Sequence, residues 1–242
     1  MKHKPLLVVL AAPVIAFLIP SAFAAENSAE NSIAAARHDV FDLKHKKCLE
    51  RITEDPDNAF EEAMIWRGDG GGRRAKHCEA MALFAVGHKE EAAYRLDQLA
   101  ASPQGGTEDM RADYFSEAAN FWLVANLPKE AYRSATSGLE LRQSHIPLRI
   151  ARARAYAFMG NYNYAETDLT SALVFDGDNA QALRYRADAR RNLGQLEAAK
   201  RDIDAAFLAD PTSVETALVR GEIIEALRMR AKGAGIVKAP LP

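Results

Sequence analysis

The stretch from Ala180 to Pro211, AQALRYRADARRNLGQLEAAKRDIDAAFLADP, decides the fold, because much of it repeats the residues 34 positions before it. Gly160 and Gly194 correspond, as do Ala165 and Ala199, Asp168 and Asp202, Leu169 and Ile203, Ala172 and Ala206, and Asp176 and Asp210. Within the earlier unit, Ala153, Tyr156 and Met159 lead into Gly160-Asn161, and Tyr162, Ala165, Leu169, Ala172 and Leu173 follow at spacings of three and four. That period describes two short amphipathic helices joined by a tight turn. Gly160 and Gly194 stand where a helix ends in a residue that tolerates positive φ, and Ala165 and Ala199 where two helices of a hairpin approach closely. Asp176-Gly177-Asp178-Asn179 and Asp210-Pro211 close one hairpin and open the next through turn-forming and N-cap side chains.

With Ala187, Gly194, Ala199, Ala206 and Pro211 in register, the unit resembles the tetratricopeptide repeat (TPR), whose 34-residue motif carries Gly in its turn, Ala at helix contacts and Pro at its end. It departs from that pattern at Leu183, in place of an early Trp, and at Arg190, in place of an aromatic. The frame extends upstream. Trp122, Ala131 and Ala135 keep it, although Asn126 occupies the Gly column and Pro128 follows. Gly87, Ala92 and Leu96 repeat it once more, with Ser102–Thr107 inserted as a loop. His38 to Trp66 reads as a divergent first hairpin turned at Glu54–Asn58, and Val214 to Arg230 as a single capping helix. The resemblance therefore implies an all-α TPR solenoid over residues 38–231, with about five helical hairpins and a C-terminal capping helix stacked in one right-handed curve. Residues 25–37 and 232–242 have the composition of disordered tails.

The N-terminus has the zones of a secretory signal: Lys2 and Lys4, the apolar run Leu6–Ile19 interrupted by Pro13, and Ala22 and Ala24 in A-x-A spacing. The run falls short of the ~20 residues that span a bilayer. We therefore expect cleavage after Ala24 and a periplasmic protein with no stable membrane insertion. The chain carries 31 basic and 33 acidic side chains, a balance that argues against general nucleic-acid binding.

Cys48 and Cys78 make an even pair, which in an oxidising compartment reads as a disulfide. In the TPR frame they lie on the first helices of adjoining hairpins, which are neighbours. A thiol-redox or metal-dependent activity at the same pair is the alternative, although no C-x-x-C spacing accompanies it and His38, His45, His77 and His88 show no ligand spacing. Four glycines from Gly68 to Gly72, flanked by arginines, read as a flexible inter-helix turn or as an anion-holding loop; without Lys-Ser or Lys-Thr they are not a P-loop. No nucleophile motif or cofactor motif stands out, so we expect no enzyme, cofactor or metal.

In the TPR family the first helix of each hairpin lines a concave groove. Here those helices carry Asn120, Arg149, Arg152, Arg154, Arg184, Arg186, Asp188 and Arg191, with Arg190 beside them. Arginines in such a row either hold acidic peptide segments through paired hydrogen bonds or form a solvated face balanced by nearby carboxylates. The expectation is an envelope scaffold or adaptor whose partner is a protein or peptide; a self-assembling structural module is the other non-enzymatic reading.

Overall fold

The computed structural model describes residues 38–237, with side chains to Gly233; the expected signal peptide and the tail at 25–37 lie outside them. By backbone packing the chain divides into Met1–Leu43 and Lys44–Pro242. In the first unit residues 38–43 are helical, with His38 Nδ1 2.9 Å from the Asp42 carboxylate. In the second unit the first helix, α1, covers residues 44–52. Then follow α2 (Pro56–Gly68), α3 (Gly72–Ala85), α4 (Lys89–Ala101), α5 (Glu108–Val124), α6 (Pro128–Leu141), α7 (Ile146–Phe158), α8 (Tyr162–Phe175), α9 (Ala180–Asn192), α10 (Leu196–Ala209) and α11 (Val214–Val237). Among the described residues there is no strand, and no helix is long and apolar enough to cross a membrane. These are the expected hairpins and final helix.

In the four hairpins from α3 to α10 the turn follows from one residue in the left-handed region. Gly87, Gly160 and Gly194 adopt φ of +97°, +79° and +75°, and Asn126, in the same column, adopts +60°. The next residue's N–H then reaches back to the helix: His88 to Leu83 O, Leu127 to Trp122 O, Asn161 to Tyr156 O and Gln195 to Arg190 O, at 2.8–2.9 Å. This is the Schellman closure, in which a left-handed residue lets orphan carbonyls be satisfied. Asn tolerates that backbone at a cost glycine does not bear. Asn126→Gly is therefore expected to raise stability by ~0.5–1 kcal/mol, read as a higher urea midpoint; an unchanged or lower midpoint would show that the Asn side chain contributes more than the backbone loses.

Each core cluster joins one hairpin to the first helix of the next. Ala80, Leu83, Ala92, Leu96, Ala118 and Phe121 join α3 and α4 to α5. Phe115, Ala135, Leu139 and Leu148 join α5 and α6 to α7. Ala165, Leu169, Ala172 and Ala182 lie between α7, α8 and α9, and Ala187, Ala199, Ile203, Ala206 and Ile223 between α9, α10 and α11. No hairpin closes its own apolar face, so stability comes from neighbour packing. The repeated alanines Ala92, Ala131, Ala165 and Ala199 are buried where a longer side chain would push two helices apart.

Three local expectations are revised. The Ser102–Thr107 loop contains a 3-10 turn, Pro103–Gly105, started by Ser102 Oγ accepting from Gln104 N at 3.2 Å. Its Gly105 is buried so close to the Leu99 carbonyl that a Cβ would fall 2.4 Å from that oxygen. The Gly68–Gly72 turn is packed rather than open: Gly71 N donates to Trp66 O at 2.8 Å, and a Cβ on Gly71 would meet the Trp66 indole at 2.7 Å. Residues 232–237, expected in a C-terminal tail, are the last residues of α11, which runs to Val237; once a helix is nucleated, each added residue gains a hydrogen bond without a new nucleus.

Candidate functional site

The arginines of the first helices fall into two sets. Arg152 Nε and Nη2 donate to Asp168 Oδ2 and Oδ1, both at 2.7 Å, and Arg186 donates to Asp202 in the same forked way at 2.8 Å. Each pair joins the two helices of one hairpin, and the pairs are 34 residues apart, so the ion pair is itself part of the repeat. The equivalent positions in the α3–α4 hairpin hold Glu79 and Arg95, the same bridge with its charges exchanged, and Arg67 Nε adds a contact to Glu79 at 3.1 Å. In the α5–α6 hairpin the positions are Ala118 and Ser134 and carry no charge. The carboxylates Glu79, Asp168 and Asp202 are buried, so removing their partners would leave charge without water. Arg149 lies 3.7 Å from Asp168 and donates from Nε to Gln143 O at 3.0 Å, and Arg190 bridges Glu166 and Asp202 at 2.8 and 2.7 Å. These four arginines are engaged inside the array.

The second set faces outward along α5, α7, α9 and α11. Asn120, Arg154, Asp188 and Glu222 occupy one position in successive first helices. Arg154 Nη1 donates to Asn120 Oδ1 at 2.7 Å, and Arg191 donates to Asp188 at 2.7 Å while lying 3.3 Å from Glu222. Two guanidinium groups lie against the ring of Tyr185: Arg154 at 5.3 Å and Arg184 at 4.2 Å from the centroid. Between α7, α8 and α9 opens a cavity of about 340 Å³. Ala153, Ala157, Ala165 and Leu169 line its apolar part, Phe158, Tyr162 and Tyr185 wall it, and Arg154 and Asp188 stand in its lining. Ala153 and Ala157 of α7 leave the space that Phe158, Tyr162 and Tyr185 enclose.

The array aligns with a thermophilic TPR protein of Thermus thermophilus at a TM-score of 0.56, with 17% identity, covering 76% of this chain and 98% of that one. The fold is a tetratricopeptide-repeat solenoid. The Sgt2 TPR domain from Aspergillus fumigatus is similar at a TM-score of 0.50 and 18% identity, over 60% of this chain and 90% of the domain. In sequence, Translocon at the outer membrane of chloroplasts 64 from Pisum sativum is 39% identical over 82 residues, 34% of this chain; the match spans 14% of that relative's length. No family model matches the chain.

Within this TPR frame, the residues expected on the groove separate cleanly. Asn120, Arg154, Arg184, Asp188 and Arg191 come together along the first helices, whereas Arg149, Arg152 and Arg186 are drawn into the hairpin bridges. Residue periodicity placed Tyr162 in the repeat but did not single out Phe158 or Tyr185; the three together give the cavity its walls. The signal for Tyr185 was its place between Arg184 and Arg186 on a first helix. Cys48 and Cys78 are joined by a disulfide, Cα to Cα 6.3 Å, packed with Ala63, Leu49 and Ile52. Among the described residues no group of histidine, cysteine and acidic side chains is placed to hold a metal.

Asp97, half-buried on α4, is a further polar group at the helix contacts. It accepts from Trp122 Nε1 at 2.7 Å and Ser134 Oγ at 2.9 Å, and its Oδ1 is buried with no hydrogen-bond partner among the described residues. Burial raises its pKa above the ordinary carboxylate value, only partly offset by those two donors. A folded pKa above the unfolded one means the native state holds the proton more tightly. Stability from this group is therefore greatest below the unfolded aspartate range and falls as pH rises through the raised value. Asp97→Asn is expected to remove that slope in urea unfolding followed from pH 3 to 7; equal slopes in the two proteins would contradict it.

Proposed function

We propose that this chain is an exported scaffold or adaptor that holds an extended segment of another protein against α7 and α9. The observation that carries the reading is the open cavity between α7, α8 and α9, apolar at its base and edged by Arg154 and Asp188. It is the size of one or two large side chains. Arg154 donates to an amide and lies over an aromatic ring, so its charge is open to an acidic residue of the segment, while Arg184 lies on the same ring with Glu215 as its charged neighbour. The engaged set, Arg152 and Arg186, serves as the rigid backing that keeps α7 and α9 fixed on their hairpins.

Export is supported by the signal-like N-terminus and by a structural disulfide, which persists in oxidising compartments. A thiol-exchange activity fits less well, because Cys78 is fully buried and Cys48 nearly so, and exchange requires an attacking thiolate to reach a sulfur. The mass of the unreduced protein recovered from its producing cell tests export: a chain beginning at Ala25 with no alkylatable thiol supports it, and a retained Met1 opposes it. Binding is tested by passing envelope extract over the mature protein and over a Tyr185→Ala, Arg154→Glu variant of equal thermal stability. A partner retained at least tenfold better by the wild type supports the reading; equal retention by both proteins overturns the assigned surface.

A further inference from the structure

A second feature lies on the first helices near the N-terminus, away from the cavity. His77, buried on α3, is hydrogen-bonded at both ring nitrogens: Nδ1 is 2.9 Å from His45 Nε2 on α1, and Nε2 is 2.7 Å from Glu117 Oε2 on α5. The His45 and His77 rings meet edge to face with centroids 5.0 Å apart, and Tyr114 of α5 lies 5.0 Å from His77 on another side. Arg73 and Arg74 of α3 and Asp113 of α5 are, with Glu117, charged neighbours of Tyr114. On α2, Arg67 is held by Glu79. The Cys48–Cys78 disulfide joins α1 to α3 one residue from His77 and three from His45.

The hydrogen bonds restrict how many protons the chain can hold. With Glu117 ionised, the 2.7 Å contact uses His77 Nε2–H as donor, so in the neutral pair His77 Nδ1 is the acceptor of a single N–H···N bond donated by His45 Nε2. One further proton makes one ring an imidazolium and leaves that bond intact, with the new charge beside the Glu117 carboxylate. A second further proton makes both rings imidazolium. Two N–H groups then face each other across 2.9 Å with no acceptor between them. The contact cannot survive that state.

We propose that His45, His77 and Glu117 form an acid-sensitive latch that holds α1 on α3 and α5, and that the Cys48–Cys78 bridge is the tether that limits how far α1 opens. Acidification doubly protonates the histidine pair and breaks the N···N bond. The disulfide keeps the hairpin attached, so opening is local and reversible. Histidine is suited to this because its charge changes between pH 5 and 8.

The test is amide hydrogen exchange of the oxidised protein, corrected for the intrinsic pH dependence of exchange, compared between pH 7.5 and 5. The expected result is a loss of protection of about tenfold or more in residues 44–52 at pH 5, the change that one hydrogen bond of ordinary strength corresponds to, with α7–α10 unaffected. In His45→Gln the side-chain amide still donates to His77 Nδ1 but takes up no proton, so the acid response should vanish. A wild-type response absent at pH 5, or one of equal size in His45→Gln, overturns the latch. Should that variant fail to fold, imidazole nitrogen resonances of the wild type decide the matter: coupled, two-step titration of the two rings supports the shared proton, and two independent single-site curves refute it.

Discussion

Asp202→Ala is expected to lower the stability of the array by about 3–5 kcal/mol, the cost of stripping the partner from a buried charge. Asp202 accepts a forked pair from Arg186 at 2.8 Å and a third bond from Arg190 at 2.7 Å. Its side chain is 7% exposed and that of Arg186 is 16% exposed, so water cannot replace the lost carboxylate. Arg190 retains Glu166, but Arg186 would keep only a 3.4 Å contact to Thr170 Oγ1. The matched control is Asp204→Ala, whose carboxylate pairs with Lys200 and Arg220 at the surface of the same helix and is expected to cost under ~1 kcal/mol. Urea unfolding of both variants makes the comparison; an Asp202 variant no less stable than the Asp204 one would mean the hairpin bridge does not hold α9 on α10.

Replacing both cysteines, Cys48→Ala with Cys78→Ala, has the second large expected effect. The bridge closes a 30-residue separation between α1 and α3. Its removal returns to the unfolded chain the freedom that the crosslink denied it, about 3 kcal/mol, or roughly 6–12 °C in Tm for a chain of this size. The effect should also be local. In an array where each hairpin contacts only its neighbours, α1 to α3 lose hydrogen-exchange protection first and α7 to α10 last. A Tm change below about 2 °C would show that the packing of Ala63, Leu49 and Ile52 holds this end without the crosslink.

The fold was legible because its repeat is carried by residues whose backbone or size demands are strict. Gly160 and Gly194 mark a left-handed turn, Ala165 and Ala199 a close helix contact, and Asn126 betrays the same turn by being the non-glycine that best tolerates it. The hairpin bridge was half legible. Asp168 and Asp202 announced themselves by their 34-residue offset, but Arg152 and Arg186 share that offset and were read as groove residues, since sequence period alone does not say whether a long side chain turns inward or outward. The exchanged pair Glu79 and Arg95 hid the same bridge behind a change of residue type. The latch was not legible at all. His45, His77 and Glu117 are 32 and 40 residues apart, spacings that belong to no repeat period and arise from the irregular first hairpins. The cavity depends on the absence of side-chain volume at Ala153 and Ala157 beside Phe158 and Tyr185, a property of three helices together and of no single stretch.

If the α7–α9 surface, and not the array at large, is where another protein is held, site-specific photocrosslinking in the cell that makes this protein will show it. A photoreactive residue is placed once at Phe158, which is 57% exposed in the cavity wall, and once at Leu208, which is 80% exposed on α10. The expected outcome is a discrete crosslinked product from position 158 that disappears in the Arg154→Glu background, and none from position 208. The same products from both positions, or a product from 208 alone, would contradict the assignment of this surface.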